Sequence, residues 1–95
     1  MEVHTLNRKS VYQTVARRTI GTYFLGHFEP DGTFVVRYIG RSLTCLRERL
    51  LHHASMTSYA AFKFHPWNSV IETYQMECLY YHHYLDQIDN KRHPD

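Results

Sequence analysis

The sequence predicts an α/β chain of the α+β kind: a small three-stranded antiparallel sheet flanked by helices, in the order β-β-α-β-α. Three observations predict it. Residues 21–38 spell out a hairpin, two later segments repeat apolar residues at helical spacing, and a short alternating run lies between those segments.

Residues 1–18 carry the weakest signal. Val11-Tyr12 and Val15-Ala16 suit one short amphipathic helix or an arm leading into the first strand, so the chain divides into 1–18 and a single domain over 19–95. The hairpin comes next. Tyr23-Phe24-Leu25 and Thr33-Phe34-Val35-Val36 are β-type runs over residues 21–28 and 33–38. Between them Pro30 presets φ, and Asp31-Gly32 tolerates the positive φ that closes a tight connection. Gly40-Arg41-Ser42 ends the second strand. Thr44 is the expected N-cap of a helix running to about residue 54, with Leu43, Leu46, Leu50 and Ala54 on one face.

Ala61-Phe62-Lys63-Phe64-His65 alternates and reads as the third strand, stopped by Pro66. Ser69 caps a second helix expected over 70–88, whose apolar stripe is Ile71, Tyr74, Cys78, Tyr81, Leu85 and Ile88. Asn90-Lys91-Arg92-His93-Pro94-Asp95 reads as a terminating turn.

Composition bounds the function classes. Ninety-five residues make one domain that buries roughly 60–65% of its unfolded surface, and eight Tyr, five Phe and one Trp supply the core. A net charge of +2 does not by itself demand a polyanionic partner. Its distribution is uneven: Arg8, Lys9, Arg17 and Arg18 face a single acid, Glu2, in residues 1–18, whereas Glu72, Glu77, Asp86 and Asp89 lie late in the chain. That asymmetry suits nucleic acid, and it equally suits ordinary surface charge. No apolar run is long enough to span a bilayer, so no membrane partner is expected. With only Cys45 and Cys78, a reducing, cytoplasmic setting without a disulfide is expected.

Gly21-Thr22-Tyr23 and Tyr38-Ile39-Gly40 stand on the two hairpin strands, followed in order by Arg49, His53, Glu77 and Asn90. This order resembles the GIY-YIG family of metal-dependent endonucleases over most of the chain, from Gly21 to Pro94. Thr22 stands where the family name has Ile, both being β-branched. The link from Arg41 to Leu46 is one residue longer than usual, which leaves Arg47 beside Arg49 as a candidate, with Arg49 preferred.

The resemblance implies a GIY-YIG-like fold and hydrolysis of phosphodiester bonds with one Mg²⁺ or Mn²⁺. It implies Glu77 as the metal ligand, Arg49 on the scissile phosphate, and Tyr23, Tyr38 and His53 handling the water and leaving group. Tyr38 is favoured as the base. Asn90 would brace the site, and Arg41 and His82 would join Arg49 in binding substrate, His82 through the stretch Glu77-Cys78-x-x-Tyr81-His82. DNA is expected before RNA, and a homodimer stays open.

The residues themselves carry plainer readings too. Glu77 lies at the edge of the predicted stripe, where a carboxylate among aromatics needs a partner, yet a glutamate can also bend out to solvent. A hard divalent ion needs few carboxylates, since water and phosphate oxygens complete its shell. Arg49 and His53 are i and i+4 and meet on one side of the first helix. Tyr23 and Tyr38 could equally be aromatic filling, Asn90 a helix C-cap, and His52 and Arg47 surface. Cys78, His82, His52 and His53 invite a zinc reading, although no Cys-x-x-Cys or His-x₃₋₅-His unit accompanies them. A catalytically silent module of the same fold, binding nucleic acid or protein, is the alternative function.

Overall fold

The computed structural model describes residues 1–90. The expected terminating turn therefore lies, apart from Asn90, outside the described residues. Seven elements follow in order: β1 (His4–Thr5), α1 (Arg8–Thr14), β2 (Gly21–Phe28), β3 (Phe34–Ser42), α2 (Leu46–Met56), β4 (Ala61–Pro66) and α3 (Val70–His83). The class is α+β, with one antiparallel sheet and helices on both of its faces.

The sheet has four strands in the order β1-β4-β2-β3, which corrects the three-stranded expectation. The added strand is β1, where His4 pairs with Phe62 and Thr5 with Ala61. Its cause is the open outer edge of β4, whose backbone groups need partners. Two residues are too few for an alternation to register in the sequence. Directly after it, Asn7 caps α1 by accepting the Ser10 amide at 2.8 Å.

The hairpin forms through the turn chemistry of residues 29–33. Gly32 takes φ +89, Glu29 and Thr33 close the loop at 2.8 Å, and Asp31 accepts the Thr33 amide. β3 continues through Ile39, Gly40 and Arg41 to Ser42, past the β-type run over 33–38 and through the Gly40-Arg41-Ser42 expected to end it. The register shifts between Leu25, opposite Tyr38, and Gly26, opposite Val36, so Arg37 is an extra, bulged residue. This bulge lets Val36 and Ile39 face the same side.

Two cores result. On one face Tyr23 and Leu25 pack with Phe62, Val11, Val15, Leu46 and Leu50, under α1 and α2. On the other, Phe24, Val36 and Ile39 pack with Tyr80, Tyr84 and Ile88. α2 is capped at Cys45 rather than Thr44, because the Ser42 hydroxyl accepts both following amides, those of Thr44 at 3.3 Å and Cys45 at 2.9 Å. Ser69 caps α3 as expected, accepting the Glu72 amide at 3.0 Å.

α3 ends at His83, short of residue 88, and its inward face differs from the expected stripe. Ile71, Tyr74 and Leu85 are 69%, 43% and 49% exposed, whereas Thr73 and Glu77 are buried together with Tyr81. The carboxylate turns toward the sheet because β3 supplies a cation there, and the Thr73 hydroxyl donates to the Ser69 carbonyl within the helix at 2.8 Å. Among the described residues no helix is long and apolar enough to cross a membrane.

Candidate functional site

Strand alternation decides which residues can meet. Tyr23 and Gly40 are directly opposite on β2 and β3, and Tyr38 stands beside them on the same face. Tyr23 is wholly buried because its ring lies across β3 over Gly40. A Cβ at Gly40 would collide with the ring and hydroxyl of Tyr23. Glycine is therefore required here by close approach, not by a turn. Gly40→Ala is expected to lower stability by about 1–3 kcal/mol in urea denaturation. An unchanged midpoint would mean that the ring moves aside freely.

His53 comes down from α2 onto this pair. Its Nε2 meets the Tyr23 hydroxyl at 2.8 Å, and its ring centroid lies 5.3 Å from that of Tyr23 and 5.2 Å from that of Tyr38. The two tyrosine rings stack at 6.3 Å with 22° between planes. Burial first, then Tyr38 and the Glu77 carboxylate, push the Tyr23 phenol well above its ordinary value, while the adjacent Arg49 guanidinium pulls it down. The phenol stays protonated at neutral pH.

Burial, helped by the positive charge of Arg49 and by His52, lowers His53 to about 4. The imidazole is therefore neutral, and its Nδ1 is buried with no hydrogen-bond partner among the described residues. From pH 6.5 down to about 4, the unfolded chain binds a proton that the folded chain refuses. Stability is therefore full above that window and falls as pH drops through it, by up to about 3 kcal/mol. Melting curves over this range should show the fall, and His53→Gln should flatten it. A profile identical in the variant would remove His53 as its source.

Arg41 projects from the opposite face, two positions beyond Ile39, and pairs with Glu77 of α3. Glu77 is 2% exposed, and the Arg41 guanidinium also lies over the Tyr74 ring at 4.0 Å from its centroid. The pair approaches the tyrosines from across the sheet, close enough for the Glu77 charge to act on the Tyr23 phenol. Two faces thus converge at the outer strand near Gly40.

Asn90 closes that edge. Its Oδ1 accepts the Ile39 amide at 3.0 Å and its Nδ2 donates to the Ile39 carbonyl at 2.8 Å, as a neighbouring strand would. Asp89 donates its amide to the carbonyl of the bulged Arg37 and pairs with the Arg37 side chain, and Gln87 donates to the Val36 carbonyl at 3.0 Å.

Tyr23, Tyr38, Arg49 and His53 thus gather on one face, Glu77 pairs with Arg41 on the other and reaches the Tyr23 phenol only through its charge, and Asn90 supports the strand between them. Arg41, expected on substrate, is engaged with Glu77. His82 is exposed in the last turn of α3, and its ring meets Tyr81 edge-on at 5.5 Å. Five positions at about 100° each turn it roughly 140° from Glu77 around the helix. Arg47, expected at the surface, instead donates to the Val15 carbonyl at 2.7 Å and the Tyr12 carbonyl at 3.3 Å, tying α2 to α1.

Tyr59 went unread in the sequence. It extends the aromatic row from Tyr38 at 6.2 Å and donates to Asp89 at 2.8 Å, and burial followed by that carboxylate pushes its phenol up to about 12. Only its position after α2 could have hinted at this. Among the described residues no group of three or more His, Cys, Asp or Glu side chains is arranged to hold a metal ion. Glu77, the carboxylate expected to hold a divalent ion, is buried with its charge met by Arg41, and a hard cation there would draw its other ligands from water and phosphate. Comparison of the chain with protein-family models, curated proteins and solved structures finds no match.

Proposed function

We propose that this chain is a metal-dependent endonuclease of the GIY-YIG type, hydrolysing phosphodiester bonds in nucleic acid, DNA before RNA. The observation that carries this reading is convergence. One buried phenol, Tyr23, hydrogen-bonds His53 and feels the charges of Arg49 and Glu77, although these residues come from three separate elements. Phosphodiester cleavage needs such a gathering of a base, a cation for the phosphate and a carboxylate for a metal.

Glu77 would hold the Mg²⁺ or Mn²⁺, which when bound supplies positive charge to the phosphate oxygens. Arg49 is exposed and grips a non-bridging oxygen with its planar fork, offsetting charge as the pentavalent centre develops. Tyr38 is only half-buried, so its hydroxyl is the phenol a water can reach. Tyr23 is sealed from solvent and acts as a positioning residue that fixes His53 and Arg49. His53, lowered to about 4, stays neutral at physiological pH and holds the Tyr23 hydroxyl through Nε2. Tyr38→Phe should accordingly slow turnover by about 10²–10⁴-fold, more than Tyr23→Phe, in single-turnover assays. The opposite ranking would assign the base to Tyr23.

One observation favours a silent binding module instead: Arg41 already neutralises Glu77. Supercoiled plasmid, single-stranded DNA and RNA incubated with Mg²⁺, Mn²⁺ or EDTA separate the two. Nicking that requires metal is expected. Salt-sensitive binding without cleavage under either metal would leave the silent module.

A further inference from the structure

We propose that a hollow between α1 and α2, separate from the Tyr23–Glu77 site, is an anion site for a phosphate group. The hollow has a volume of about 400 Å³, and Arg17, Arg18 and Arg47 line it against a single acid, Glu48. The ion pairs among the described residues, Glu2–His4, His27–Glu29, Arg37–Asp89 and Arg41–Glu77, use none of these three arginines. Unneutralised guanidinium groups around one concavity raise the local concentration of anions, and planar forks match phosphate oxygens in pairs.

Arg47 is held in advance for this task. Nε and Nη2 bond the α1 carbonyls of Val15 and Tyr12, and its guanidinium lies 4.9 Å from the Tyr12 ring centroid. Those bonds leave Nη1 unused. Arg18 adds φ +61, a left-handed conformation that no other described residue except glycine adopts with positive φ. Strain of that kind persists only where the surroundings fix it, and it concentrates at ligand sites. The first turn of α2 borders the same hollow through Cys45, Arg47 and Glu48, with the Leu46 amide held by the Thr19 carbonyl at 2.7 Å.

Tyr12 forms one wall and is 48% exposed, with Arg8 on its ring at 5.5 Å. An aromatic surface beside a phosphate site suits a nucleotide unit, in which a base or sugar accompanies each phosphate. The shared chemistry is the phosphate group, carried either by a nucleic-acid strand or by a small free phosphate.

A fluorescent single-stranded oligodeoxynucleotide, titrated in EDTA over about 50–200 mM salt, tests the strand source, and pyrophosphate titrated calorimetrically tests the free one. The double variant Arg17→Ala/Arg18→Ala changes two exposed side chains, and circular dichroism checks its fold. For a strand, it should weaken binding about tenfold at low salt and reduce the slope of log K against log salt by about 1–2. Arg17→Lys/Arg18→Lys should retain the slope. Loss of pyrophosphate binding alone in the alanine variant would support the site with a free phosphate as its ligand. Unchanged affinity for both probes overturns the proposal. EDTA removes any dependence on cleavage. A protein that cleaves but shows no arginine-dependent binding defeats this site alone, and one that binds through it but never cleaves defeats the endonuclease alone.

Discussion

Glu77→Gln should remove metal-dependent nicking of supercoiled plasmid, by about 10³-fold or more, while the chain stays folded. The substitution keeps the shape of the side chain and an oxygen that can still accept from Arg41, but it deletes the charge that would hold a divalent ion. Its structural effect is bounded by the same pair. Arg41 is 16% exposed at its side chain and would lose its counter-charge, which costs about 1–3 kcal/mol and registers in a thermal melt. Nicking that persists at the original rate in a folded Glu77→Gln protein would sink the metal assignment, and with it the endonuclease reading.

The second large effect separates two arginines that stand two positions apart. Arg49→Ala should lower cleavage by about 10²–10³-fold with stability unchanged to within about 0.5 kcal/mol, since the side chain is exposed, lies beside the Tyr23 phenol and is the group proposed for the phosphate. Arg47→Ala should do the reverse. It removes two hydrogen bonds to the end of α1, costing about 1–3 kcal/mol, and changes cleavage only a few fold at a temperature where the variant is folded. Plasmid assays paired with urea denaturation read both quantities. If Arg47→Ala abolishes cleavage while Arg49→Ala does not, the register assigned to the long link between β3 and α2 is wrong.

How legible each feature was in the sequence depended on how local its cause is. The hairpin was readable because Pro30, Asp31 and Gly32 constrain their own dihedrals. The leucine face of α2 was readable because Leu46 and Leu50 are buried for their own apolarity. Ser69 was readable as a cap because its hydroxyl acts on an amide three residues away.

What escaped was set by distant partners. The inward face of α3 carries Thr73 and Glu77, which no hydropathy stripe would select, and Glu77 can be buried only because Arg41 arrives from β3. The bulge at Arg37 has no glycine on its own strand to mark it, and it decides that Ile39 and Arg41 turn toward α3. For the site, the order of Tyr, Arg, His and Glu was visible in the chain. The ion pair that occupies Arg41 was not, because strand parity beyond a bulge cannot be counted from composition.

The side-chain and main-chain contacts that Gln87, Asp89 and Asn90 make along β3 have a consequence beyond the site. β3 is the outer strand of the sheet, and its backbone groups at Val36, Arg37 and Ile39 are engaged by these residues instead of by another strand. An uncovered row of that kind is a template on which a second molecule can add its own strand. The stretch that flanks the candidate site thereby also covers a strand edge on which copies of the chain could pair. A protein with Asn90 and Gln87 both replaced by Ala should reveal the loss as turbidity and thioflavin binding in solutions where the unaltered chain stays clear.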